Sequence, residues 1–161
     1  MNAETWRKAA EFVGGLGIIA GLFMVAMEIR QANEIARTEV IIDLAGQYNE
    51  FNSARFQDPV VANLSLKLIQ PGNYEISETD ASMMAGAAWH FANILWSAQV
   101  AYDSGLISIE DLTFYRSHLE WMLDNMPGLL PEFESMFESN SAMKEVYVFG
   151  PLKKRFEQNA E

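Results

Sequence analysis

Imidazole chemistry in this chain rests on two histidines, His90 and His118, and thiol chemistry is excluded because there is no cysteine. A bundle metal site of the di-iron kind takes Glu-x-x-His from each of two helices. The residues three before the histidines are Ala87 and Tyr115, so that ligand pattern fails on residue type. His118 and Glu120 lie two apart and face different sides of a helix. No Gly-x-Ser-x-Gly elbow occurs, and the run Gly14-Gly15-Leu16-Gly17 lacks the lysine of a phosphate loop. Glu132, Glu134 and Glu138 do not have calcium-loop spacing and read as a solvated face. The residue inventory therefore predicts no metal and no cofactor, and it weighs against an enzyme. What remains is a candidate polar pocket of His90, Asn93 and Trp96, an imidazole, a carboxamide and an indole within two helical turns. The plainer alternative is a core histidine with its hydrogen bonds satisfied, beside tryptophans that pack.

The elements that would position these residues are dominated by one stretch. Phe12 to Met27 reads FVGGLGIIAGLFMVAM, with no charge and no strongly polar side chain. Its apolar residues cover every side of a helical wheel, and such a helix must be buried in a large core or in lipid. Sixteen residues at the helical rise reach ~24 Å, against ~30 Å of hydrocarbon. Trp6, Arg7 and Lys8 precede the run and suit the interfacial layer. A cleaved signal peptide would need a small-residue cleavage site, and none is evident. Gly14, Gly17 and Gly21 recur three and four apart, so they share a face on which two membrane helices could approach closely.

The net charge is −11 in total, and residues 41–161 carry most of it, with seven Lys/Arg against 17 Asp/Glu. An acidic head argues against nucleic acid and against lying flat on an anionic leaflet. The remaining chain reads as helical throughout. The first helix is expected from about Thr5 to Phe56, leaving the membrane near Glu28. Its later part carries an apolar stripe of Val40, Ile41, Leu44, Tyr48 and Phe51. Asp58-Pro59 is a stop and restart, with Val60, Val61, Leu64 and Leu68 on the buried face of the next helix. Ser77/Asp80 and Ser108/Asp111 resemble capping boxes. Between them Ala81 to Tyr102 is free of charge, and it reads as a central helix surrounded by the others. A helix with Leu112, Tyr115, Leu119 and Met122 on one face follows and ends at Pro127-Gly128. A short acidic helix holds Phe133, Met136 and Phe137. A last segment holds Met143, Val146, Tyr147 and Phe149, and Gly150-Pro151 breaks it.

Three stretches in this order carry a resemblance. Ile29-Arg30-Gln31-Ala32-Asn33 follows the apolar helix, Asp58-Pro59-Val60-Val61-Ala62-Asn63-Leu64 opens the second, and Tyr102-Asp103-Ser104-Gly105-Leu106-Ile107 joins the third to the fourth. Together they resemble an uncharacterised group of small bacterial proteins with an N-terminal membrane helix and a helical head. That resemblance implies an anchor and a helical head and supplies no mechanism.

The expected architecture is all-α: a long N-terminal transmembrane helix that continues into a small helical bundle. Residues 1–30 form the anchor, and residues 31–161 form an acidic head of four or five helices. The expected role is a non-enzymatic single-pass protein of the bacterial inner membrane, with the head in the cytoplasm. It would be self-associating or an accessory subunit, with the bilayer and a second copy or membrane protein as partners. The alternative is a soluble helical oligomer binding a small ligand in the head.

Overall fold

The computed structural model describes residues 2–159, without the side chains at positions 51, 55, 158 and 159. Phe51, expected on the apolar stripe, is thus outside the described side chains. Among the described residues there are seven α-helices and no strand, so the all-α expectation holds. Helix α1 runs Ala3–Gln57 without a break. It is followed by α2 (Pro59–Ile69), α3 (Glu78–Asp103), α4 (Ile109–Asn125), α5 (Leu130–Ser139), α6 (Ser141–Glu145) and α7 (Gly150–Asn159). The chain divides into two compact units, Met1–Glu39 and Val40–Glu161. The boundary falls inside α1, where Val40 is the first of its residues to pack against the head's core. The earlier change at residues 30/31 marks only where the apolar composition stops.

The helix limits follow from local chemistry. The Asp58 side chain accepts the Val60 N–H at 2.8 Å, and Pro59 takes the first turn of α2, where its missing N–H costs nothing. Both capping boxes form. At α3 the Ser77 Oγ accepts the Asp80 N–H at 3.1 Å while Asp80 Oδ2 accepts the Ser77 N–H at 3.0 Å. Ser108 and Asp111 repeat the exchange at α4. Gly105, at φ +72°, ends α3 in a left-handed turn. Its N–H reaches the Tyr102 carbonyl at 2.8 Å, and that of Leu106 reaches the Ala101 carbonyl at 2.8 Å. This paired closure favours a residue without a Cβ.

Asp80 also holds an ion pair, accepting from Lys67 Nζ at 2.6 Å and tying α2 to α3. The Lys67 ammonium, with the Ser77 hydroxyl and N–H, lowers its carboxyl from 3.8 to about 2. The folded value lies below the unfolded one, so this stabilisation is complete above about pH 4 and is lost as the pH falls toward 2. Asp80→Asn should therefore lower the melting temperature at neutral pH. The gap from the parent should close as a melting series is taken down toward about pH 2.

The head's core is one contiguous cluster. Phe133, Phe149, Leu68, Leu112, Leu119 and Leu129 are at most 1% exposed at its centre. Three expectations need correction. Val60 is 57% exposed, because the buried side of α2 is made by Leu64, Ser65 and Leu68. The central helix α3 is not surrounded: Trp89, Trp96 and Val100 lie on an open side at 54%, 38% and 49% exposure. Gly150-Pro151 ends one segment but opens another, so six α-helices follow α1 among the described residues. Proline at a first helical turn starts a helix as readily as it stops the one before. Helix α7 buries Leu152, and its Arg155 guanidinium donates to the Leu123 carbonyl and to Asp124, both at 2.6 Å. The basic run Lys153-Lys154-Arg155 thus supplies a cation to the C-terminal end of α4, where the helix dipole favours one.

Candidate functional site: the apolar span and the head's polar residues

Residues 12–27 are exposed on every side of α1. Phe12, Ile18, Ile19, Leu22 and Phe23 are each 65–69% exposed. A Cβ placed at Gly14, Gly17 or Gly21 would meet nothing within 4 Å, so the glycine face has no neighbour at that distance among the described residues. Charged pairs bracket the run. Lys8–Glu4 at 3.0 Å and Arg7–Glu11 at 3.5 Å lie before it, and Arg30–Glu34 at 3.2 Å lies after it. These are exposed pairs one turn apart, each contributing at most a few tenths of a kcal/mol, about 0.3–0.5. They mark where the helix tolerates charge. Within Ala3–Ala54 one 18-residue window has a mean hydropathy of 2.1 and none of it is buried.

The three residues of the candidate polar pocket share α3 but not a destination. The His90 ring is half-buried, and its Nε2, as an N–H, donates to the Gln47 carbonyl of α1 at 3.4 Å. Asn93 is exposed. Trp96 leans on Phe149, with ring centroids 6.3 Å apart. His90 and Trp96 therefore flank Asn93 on an open face rather than enclose it.

A second polar group was not apparent from spacing. His118 Nε2 lies 2.7 Å from the Tyr48 hydroxyl, the rings meet edge to face at 4.6 Å, and Trp121 stacks on the imidazole at 5.4 Å. Burial lowers the His118 pKa below the usual imidazole range. Tyr48 and His118 are 70 positions apart, so no local pattern joins them. Among the described residues no three His, Cys, Asp or Glu side chains come together as a metal-ligand set.

The fold and the span define a class: an all-α chain in which, among the described residues, one helix is long and apolar enough to cross a membrane. Comparison with protein-family models, with curated proteins and with solved structures finds no match to this chain in any of the three.

Proposed function

We propose that this is a non-enzymatic, single-pass protein of the bacterial inner membrane with an acidic cytoplasmic head, acting as a self-associating or accessory subunit of a membrane complex. The observation that carries the reading is the wholly unburied apolar window of α1. Ten large apolar side chains between Phe12 and Met27 would each gain about 1.5–3 kcal/mol on leaving water, roughly 15–30 kcal/mol together. A chain of ordinary stability, about 5–15 kcal/mol, does not leave that much surface wet. Lipid covers it without requiring a specific neighbour. The free glycine face supports self-association, since small residues let two spans meet closely. Two cations stand on each side of the run, Arg7 and Lys8 before it and Arg30 and Arg37 after it. The positive-inside rule has no asymmetry to act on, so protease access from outside the cell is the test of head placement.

The open face of α3, with Trp89, Asn93 and Trp96, favours a second reading, a soluble oligomer holding a small ligand on the head. Fractionation of the full-length protein followed by a high-pH wash separates the two. Retention in the pellet until detergent is added is expected of the anchor. Release as a defined oligomer would sink it and favour the second reading.

A further inference from the structure

Helix α3 keeps one side open, and that side is a regular stripe. Trp89, Asn93, Trp96, Ser97 and Val100 recur at three- and four-residue spacing, and all five are exposed. From Ala81 to Tyr102 the helix has no Asp, Glu, Lys or Arg. The open sides of its neighbours are acidic. Glu110, Glu120 and Asp124 are exposed on α4, and Glu134 and Glu138 are exposed on α5.

We propose that the open side of α3 is a contact between two copies of the head, packed as an antiparallel pair of α3 helices with Asn93 on the two-fold axis. The proposal rests on the anchored, self-associating reading above and adds the surface through which the heads meet.

Charge selects the occupant. Residues 41–161 carry seven Lys/Arg against 17 Asp/Glu, so two heads repel wherever acidic sides face each other. The α3 stripe brings no like charge into the contact. A basic partner would be drawn to the acidic sides instead, because nothing on the stripe pairs with a cation.

The register comes from the stripe itself. An antiparallel two-fold at Asn93 lays residues 84–102 of one copy along the same residues of the other, wholly inside the charge-free stretch. It sets the bulky Trp89 of each copy over the small Ser97 of the other, once on each side of the axis. On the axis the two Asn93 carboxamides meet, and each can donate to the other and accept in return. One polar pair amid apolar packing fixes register, as a single asparagine does in a coiled coil. The apolar part of the stripe, Trp89, Trp96 and Val100, offers roughly 200–300 Å². Stable complexes of free proteins bury about 800 Å² per partner. The contact therefore suits copies already held in one membrane, where tethering raises their effective concentration.

The chain has no cysteine, so an introduced one is its only thiol. The test treats single-cysteine full-length chains in proteoliposomes with a short, membrane-permeant thiol-to-thiol cross-linker. Asn93→Cys should be captured as a dimer about fivefold more than Val100→Cys. Two residues at the axis face each other across a helix spacing of about 8–10 Å, whereas two residues at position 100 lie about 21 Å apart along the axes. Adding Trp89→Glu, at an exposed position, to the Asn93→Cys chain puts like charge beside the axis and should cut capture about tenfold. Co-purification of two differently tagged copies in mild detergent runs in parallel. Copies that co-purify while Asn93→Cys is captured no more than Val100→Cys overturn the α3 contact and leave self-association standing. Capture that Trp89→Glu does not reduce also overturns the contact. Copies that neither co-purify nor cross-link overturn both.

Discussion

A chain beginning at Glu28 should fold, stay in water without detergent, and melt within about 0.5 kcal/mol of the head in the full-length protein. Every described residue before Ala36 is exposed, and each member of the buried core lies at Leu44 or later. Removing residues 1–27 therefore deletes no core contact, and the loss of ten large apolar side chains from water favours solubility. The same truncation would be ruinous if Phe12–Met27 were the buried centre of a soluble oligomer, because a core helix cannot be cut away from what packs on it. Circular dichroism melting of the two chains, with sedimentation in the absence of detergent, decides the matter. A truncated chain that aggregates or loses its cooperative melt sinks the anchor reading.

Gly128→Val should be the most damaging single substitution in the head by addition of atoms, costing about 3 kcal/mol and lowering the melting temperature by about 10 °C. A Cβ at this position would stand 2.7 Å from the Met84 terminal methyl, 2.9 Å from the Leu68 Cα and 3.0 Å from the Leu68 carbonyl oxygen. Met84 can swing its end away, but the backbone of α2 cannot move without disturbing Leu68, which is fully buried. The conformation of Gly128 itself is not the constraint, since Gly105 is the one glycine at positive φ among the described residues. Thermal melting of Gly128→Val beside Gly86→Val, whose added atoms would start in open space, isolates the steric part. Similar losses at the two positions would show that close approach is not what Gly128 provides.

Elements bounded by local chemistry were legible in the sequence. Asp58-Pro59 and the two Ser-x-x-Asp boxes each act over a few residues, and each stands where its spacing put it. The apolar stripes were legible for the same reason, through Leu64, Leu68, Leu112, Leu119, Phe133 and Met136. What could not be read is what depends on pairs far apart in the chain. Nothing near Tyr48 announces His118, and nothing near Arg155 announces the Leu123 carbonyl. Helix α7 was hidden because Gly-Pro reads equally as an end and as a beginning. The open side of α3 was hidden because a charge-free helix is compatible with complete burial, and only the packing of its neighbours shows that Trp89 and Trp96 stay outside.

Gly128 and the apolar run also differ in how freely their sequences can drift. Gly128 is set by three atoms of two other residues, so substitutions there must be answered elsewhere. No residue of Phe12 to Met27 is buried among the described residues, so one apolar side chain there serves as well as another of similar hydropathy. Over generations the run should conserve its length and composition while its letters turn over. Any position within it that resists change, Gly14, Gly17 and Gly21 above all, would mark a surface answering to another molecule.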